Sequence, residues 1–301
     1  TDAIFAFTKI GRYMLEQSEG WFFRSRNVLT ERNIDKVSWT MLPNGDHGLR
    51  APAHGSIQSE QNLVPLSNSD LYCMYRTTMG YPCHAYSRDG GKTWSKPEAA
   101  TYTPNGRRFK HPRACPRLWR TRSGHYLFWF HNNGNKDWRP GTRNPCWLVG
   151  GIEREGHIHW SQPEIVLYDP DESVRISYPD LVEENGRYWI TEAQKSVARV
   201  HEIDASLLEG LWQQDKRAEI VRAGIADANA PEFGDLDDEE GFSLDVRFTL
   251  PTMGHHVLID LRGVDGKGLL LTFENDTLEL KATTDKQETA WVCDPGLFQA
   301  G

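Results

Sequence analysis

Apolar and aromatic residues in this chain tend to alternate with polar ones over short stretches, and they rarely recur every three or four positions. Segments such as Asp70–Tyr75, His125–Phe130 and Arg187–Thr191 are rich in aromatic and β-branched residues and are bounded by Gly, Asn, Asp or Pro, which predicts strands joined by turns. One helical turn is expected at Asp204-Ala-Ser-Leu-Leu-Glu-Gly, with Asp204 as its cap and Gly210 as its stop. After about residue 222 the character changes. Residues 223–240 read as an acidic linker, densest at Asp235–Glu240. Residues 241–301 then carry alternating segments, Phe242–Leu250, His256–Leu261, Gly268–Glu274 and Thr277–Thr283, the opening strands of a jelly-roll sandwich of the lectin-like (concanavalin or laminin-G) type. About 60 residues leave such a sandwich partial, with open edges, so the chain stops part-way through it or partner strands come from elsewhere.

A repeat organises the strands before the linker. Trp39, Trp94, Trp160 and Trp212 recur at intervals of about 50 to 65 residues, and three stand in similar phrases: Ser-Trp-Thr-Met-Leu-Pro, Thr-Trp-Ser-Lys-Pro-Glu and His-Trp-Ser-Gln-Pro-Glu. That period fits a four-stranded propeller blade. Inner strands are expected near Gln61–Leu66, Arg113–Trp119 and Tyr178–Glu183, and second strands near Leu71–Arg76, Tyr126–Asn132 and Tyr188–Glu192. Residues 1–43 supply a less regular blade. Ser87-Arg-Asp-Gly-Gly-Lys-Thr-Trp94 is a complete Asp box, in which the aspartate accepts backbone N–H bonds, the glycines permit the turn and the tryptophan packs between sheets. The fold class is therefore all-β: about four blades of a sialidase-type β-propeller over residues 1–222, followed by the partial sandwich.

Composition narrows the function. A formal charge of −8, with no basic run interleaved with aromatics, argues against a nucleic-acid partner. No apolar run approaches the roughly 20 residues of a membrane span. Five cysteines without a Cys-x-x-Cys pair indicate neither a zinc knuckle nor a full disulfide framework, and no calcium loop stands out, so no metal or cofactor is expected. The 11 tryptophans suit a carbohydrate-handling β-protein.

Strands alternate in direction, so inner-strand starts and second-strand ends emerge at one mouth, opposite the Asp-box turns. The residues there are Glu60, Gln61, Arg76, His111, Arg113, His131, Asn132, Arg175, Tyr178, Asp180, Glu192 and Lys195. So many acids, bases and cations converging on one opening mark a candidate site.

Ser59-Glu60-Gln61 followed by Leu71-Tyr-Cys-Met-Tyr-Arg76 and then the Asp box resembles the blade of exo-α-sialidases that supplies a glutamate and then an arginine. Ser177-Tyr178-Pro179-Asp180-Leu181 with Asn185-Gly186 resembles the blade that supplies their nucleophilic tyrosine, and Arg143-Asn144 occupies the place of a further arginine. The resemblance covers residues 55–200. It implies a secreted or periplasmic glycosidase that removes a terminal acidic sugar from a glycan. Tyr178 is then the nucleophile and Glu60 its base, Arg76 and Arg143 grip the sugar carboxylate, and His111, Arg113, His131 and Glu192 line the substrate site. A neutral tyrosine suits this chemistry, because a carboxylate nucleophile would repel the substrate's own carboxylate. These enzymes also carry an early Arg-Ile-Pro-type motif and an acid aspartate. Gly48-Leu-Arg50-Ala-Pro52 echoes the motif but stands too near Glu60, and Asp46 is a weak acid candidate, so either blades ahead of Thr1 are missing, as a count of four against six suggests, or the chain is not a sialidase in the strict sense. Two other readings stay open. One is a polysaccharide lyase of the ulvan type working with His131 and Tyr178, and the other is a non-catalytic glycan-binding propeller.

Overall fold

The computed structural model describes residues 2–136, 143–171, 173–193, 197–214, 246, 248–250, 252, 254–274, 277–285 and 287–293. The chain divides into two compact units, Thr1–Lys216 and Arg217–Gly301. The whole of the expected acidic linker, residues 223–240, lies outside the described residues, as does Lys195.

Among the described residues the first unit holds four antiparallel, blade-like sheets, none closed on itself. The first contains β1 (Ala3–Lys9), β2 (Glu19–Ser25) and β3 (Thr40–Leu42). The second is an up-and-down meander of β4 (Gln58–Pro65), β5 (Leu71–Thr77), β6 (Cys83–Ser87) and β7 (Glu98–Ala99). The third contains β8 (Arg117–Arg120), β9 (Tyr126–Phe130), β10 (Cys146–Arg154) and β11 (His157–Trp160), with β12 (Glu164–Leu167) paired to part of β10. The fourth contains β13 (Asp180–Glu184), β14 (Arg187–Ala193) and β15 (Ala198–Ile203). After β15, where a helical turn was expected, the chain forms a helix, α1 (Ala205–Trp212), capped by Asp204.

The central strands have apolar residues at nearly every position because both of their faces are buried. In β9, Tyr126, Phe128 and Phe130 enter one core cluster with Tyr72, Phe109 and Trp160. The intervening Leu127 and Trp129 enter a second cluster with Leu148, Ile190, Leu208 and Trp212. Likewise β5 sends Tyr72 and Met74 one way, and Cys73 and Tyr75 the other, toward Phe22 and Leu42. The period-2 rule thus gives each blade two apolar faces, and each fully buried large side chain stabilises the stack by roughly 1.5–3 kcal/mol.

Two expectations are corrected here. Gly210 does not stop the helix, which continues through Leu211 and Trp212 because both are buried and the Trp212 indole donates to the Tyr126 carbonyl at 2.9 Å. The helix fits because Gly150 has no side chain; a Cβ there would stand 2.7 Å from the Trp212 ring. The tryptophan repeat is likewise only partly structural. Trp94 packs on Phe22 and Trp160 is buried, whereas Trp212 is helical and Trp39 is exposed against Phe5 and Phe23.

Among the described residues the second unit contains one antiparallel meander, β16 (His256–Asp260), β17 (Gly268–Glu274), β18 (Thr277–Thr283) and β19 (Glu288–Val292). Three of its strands match expected segments, and β19 was not expected. Of Phe242–Leu250, residues 242–245 and 247 lie outside the described residues, and the remainder forms no strand.

Candidate functional site

The direction of the strands fixes the two ends of the second blade. Ser87, at the end of β6, pairs with Leu71 at the start of β5, while Arg76, near the end of β5, pairs with Ser59 near the start of β4. The Asp-box turn and the Ser59–Arg76 end are therefore opposite ends of one sheet.

At the Asp-box end, Asp89 accepts bonds from the Thr93 amide (2.9 Å), the Thr93 hydroxyl (2.6 Å) and the Ser87 hydroxyl (2.9 Å). These bonds, led by that from the Thr93 hydroxyl, hold the Asp89 carboxyl down to about 2. Gly90 and Gly91 take φ of +73° and +92°, as the turn requires.

At the other end β4 is bulged: its ladder with β5 shifts register between Ser59 and Asn62, and Glu60 in the bulge has φ +57°. The bulge is pinned by Thr8, whose hydroxyl accepts from the Glu60 amide, and by Asn62, which donates to the Glu60 and Pro116 carbonyls. Glu60 Oε2 lies 3.2 Å from Arg76 Nη1, an ion pair without hydrogen-bond alignment, so this buried oxygen has no hydrogen-bond partner. Arg76 is 8% exposed and donates through Nε and Nη2 to Ser59 Oγ at 3.3 and 3.2 Å.

Arg143, just ahead of β10, donates from Nη1 to Ser177 Oγ and from Nη2 to the Arg113 carbonyl, both at 3.2 Å. Tyr178 follows Ser177 directly. It has φ +53° and is 52% exposed, and its hydroxyl has no partner among the described residues. Asn62, which holds the Glu60 carbonyl, also bonds Pro116, and Arg143 bonds Arg113, so the segment from Arg113 to Pro116 lies beside both groups. The structure therefore gathers Glu60, Arg76 and Arg143 about one region, and Tyr178 adjoins the serine that holds Arg143.

Four expected site residues are placed differently. His111 and His131 are buried and stacked, with ring centroids 5.8 Å apart. His111 Nε2 bonds the Ala114 carbonyl, and its Nδ1 accepts the His131 amide. His131 Nδ1 faces the Pro145 carbonyl and the Cys146 thiol, each at 3.4 Å. Burial is the main cause that lowers both, His131 to about 3, so both rings stay neutral beneath the mouth and do not reach its surface. The lyase reading needs its base at the surface of the mouth, where the 2%-exposed His131 does not stand. Glu192 has a fully buried side chain paired with Arg199 (3.3 Å) and His201 (3.7 Å), which closes it off from any substrate. Gln61 turns inward, accepting from the Thr8 hydroxyl and donating to the Gln58 carbonyl.

Arg113 and Arg175 are half-buried with no side-chain partner among the described residues, and Asn132 is half-buried with φ +45°. Asp180 fastens neighbouring blades by accepting from the Trp119 indole at 3.2 Å, with Arg117 3.6 Å away. Asp46 is exposed in the turn after β3.

Sequence reasoning missed Ser59, Ser177 and Cys115. Cys115 is half-buried; burial first, and then the Glu60 charge, pushes its thiol up to about 12. No group of three or more potential metal ligands occurs among the described residues, and no described helix is long and apolar enough to cross a membrane.

A cavity of about 760 Å³ lies away from the mouth and is lined by His84, Tyr86, Arg88, Lys96, Glu98 and His157. Several of its polar groups already bond within the fold: His84 to the Tyr72 hydroxyl, and Arg88 to Asp70 and the Gly156 carbonyl. At the mouth, Glu60 Oε2 is buried without a hydrogen bond.

Residues 27–190, more than half of the chain, match the family model of the BNR repeat-like domain. No curated protein sequence matches the chain. Among solved structures it is similar to the intramolecular trans-sialidase from Ruminococcus gnavus in complex with oseltamivir carboxylate, at 14% identity and a TM-score of 0.46, over 69% of this chain and 41% of that one. It is also similar to the NanB sialidase from Streptococcus pneumoniae, at 17% identity and a TM-score of 0.42, over 68% and 28%. A Dyadobacter fermentans protein of unknown function is covered more fully, 98% of this chain and 80% of that one, at 11% identity and a TM-score of 0.43. The chain spans less than half the length of the two sialidases.

Proposed function

We propose that this chain, which belongs to the BNR repeat-like domain family, is a glycoside hydrolase of the exo-α-sialidase type that cleaves a terminal acidic sugar from a glycan outside the cytoplasm. The observation that carries the reading is the convergence at one mouth of Glu60, Arg76 and Arg143, with the free Tyr178 hydroxyl adjoining the Ser177 anchor.

Each group has a role suited to its surroundings. Arg76 and Arg143 present guanidinium groups to the sugar carboxylate through charge-assisted bonds. The neutral histidine stack behind them adds no competing charge. Glu60, held 3.2 Å from Arg76, is the base that takes the proton of the Tyr178 hydroxyl as that oxygen attacks the anomeric carbon and the glycosidic bond to the aglycone breaks. A neutral tyrosine avoids repulsion with the bound carboxylate, and the developing positive charge on the ring is met by the Tyr178 and Glu60 oxygens.

The test is fluorophore release from a fluorogenic α-sialoside. Tyr178→Phe is expected to lower kcat by about a thousandfold or more, as loss of a covalent nucleophile does. Full activity in that variant removes Tyr178 from the mechanism. Absence of turnover by the wild type overturns the enzymatic reading, and saturable binding of the uncleaved sialoside would then favour a glycan-binding propeller.

A further inference from the structure

The strand ladders allow the blades to be compared position by position. In the second sheet Asn62, the first residue paired after the bulge, faces Met74, and Ser59 lies three residues earlier, opposite Arg76. In the fourth sheet the first pair is Asp180 with Thr191, and three residues earlier stands Ser177, whose carbonyl accepts the Ala193 amide at 2.8 Å. Arg76 lies two residues after Met74, and Ala193 two after Thr191. Ser59 and Ser177 therefore occupy one position on two different blades, and Glu60 and Tyr178 the next.

Both serines are almost fully buried, at 1% and 3% exposure, and both use Oγ to accept from an arginine, Arg76 or Arg143. Both following residues take left-handed backbone, φ +57° and +53°, which non-glycine residues adopt only at a cost. In a straight strand, successive side chains point to opposite faces. The left-handed residue breaks that alternation, and its neighbours return to a regular ladder within two positions.

The third sheet is an internal control. Its first pair is Arg117 with Trp129, so the matching position is Ala114, which has no hydroxyl, and the next is Cys115, which has no left-handed backbone. Two residues after Trp129 stands His131, not arginine, and no arginine bonds to the Ala114 side chain, which has no polar atom. Serine, a pinned arginine and left-handed backbone thus occur together twice and are absent together once.

We infer that Ser59 and Ser177 are positioning residues: each buried hydroxyl fixes one arginine at the mouth, directly beside the left-handed residue, Glu60 or Tyr178, that faces the same opening. What the arginines hold rests on the glycosidase reading above; the pinning itself does not. An arginine has several rotatable bonds, and the hydroxyl selects one arrangement before an anion arrives, which lowers the ordering cost of binding.

The experiment compares Ser59→Ala, Ser177→Ala and the corresponding threonine variants by crystal structure and by kinetics on the fluorogenic sialoside. Each alanine variant is expected to raise KM about five- to tenfold with kcat within about twofold, the pattern of lost substrate binding. Each threonine variant, which keeps the hydroxyl, should return KM to within about twofold of wild type. The structures should show Arg143 moved in Ser177→Ala and Arg76 moved in Ser59→Ala. An unmoved guanidinium in both alanine variants overturns the inference, as does equal impairment by threonine and alanine. If the wild type has no turnover the functional reading fails, and the positions of the two arginines still decide this one. The serines sit on different sheets, so a folding defect in one variant leaves the other as an independent test.

Discussion

The two ends of the second blade solve the same problem, a sharp change of chain direction, with different residues. At the Asp-box end the positive φ angles fall on Gly90 and Gly91, and Asp89 is bonded by Thr93 and Ser87. At the mouth the positive φ falls on Glu60, and its Oε2 is buried without a hydrogen bond. Glycine at the first end makes the turn at little steric cost, while the second end keeps a functional side chain and accepts strain. Strain and unsatisfied polar groups collect where a ligand would relieve them. A motif whose aspartate is bonded by its own neighbours therefore marks the scaffold, and its opposite end is where chemistry is to be sought.

Acid should separate the two ends, and this is the largest effect expected on stability. His131 titrates at about 3 in the folded chain against 6.5 ordinarily, so folding favours its neutral form. Its contribution is complete above pH 6.5 and is lost progressively as pH falls from there toward 3, amounting to a few kcal/mol. His111, lowered by the same burial and by the neighbouring His131, acts in the same direction. Asp89 is lowered from 3.8 to about 2, so its contribution persists above pH 3.8 and fades only as pH falls through 2. Urea unfolding from pH 7 to 4 should show a loss of stability that His131→Asn makes shallower, though that variant is less stable at pH 7. An unchanged slope in His131→Asn would mean that the ring is solvated when protonated and is not sealed beneath the mouth.

The misplacement of His131 shows how much of this was legible in advance. The Asp box was readable because its chemistry is local: eight consecutive residues build the turn from their own side chains. The blade cores were readable from residue parity, and parity also held an unused signal at the site. Glu192 shares the parity of the buried Tyr188 and Ile190 on β14, and His131 that of Leu127 and Trp129 on β9, so both continue a buried face. Direction along the strand placed them at the mouth, whereas their face of the sheet placed them behind its wall. The end of α1 was not legible, since only the packing of Leu211 and Trp212 on the third sheet carries the helix past Gly210. The serines were missed because their role depends on a register that only the ladders reveal.

A smaller effect sharpens the contrast at the scaffold end. Gly91→Val forces a branched side chain into φ +92°, with its Cβ only 3.2 Å from Leu42 Cδ1. A loss of roughly 2 kcal/mol is expected, with kcat/KM of the residual folded protein unchanged. Equilibrium unfolding and assay of the same preparation check both halves. A fall in kcat/KM without loss of stability would mean that the Asp-box end takes part in the chemistry.

The smallest effect is the most specific to the argument about the mouth. Tyr178 takes left-handed backbone while more than half exposed, so its ring contributes little burial to offset the strain. Asparagine tolerates that conformation far better than tyrosine does, and it adds no glycine-like flexibility to the unfolded chain. Tyr178→Asn should therefore stabilise the first unit by about 0.5 kcal/mol, read as a higher urea midpoint at unchanged slope, while abolishing sialoside cleavage. Gain of stability with loss of activity is the signature of a residue kept for its chemistry against the preference of its backbone. Destabilisation by more than about 1 kcal/mol would show instead that the ring is a packing element, and the comparison between the two ends would then lose its clearest member.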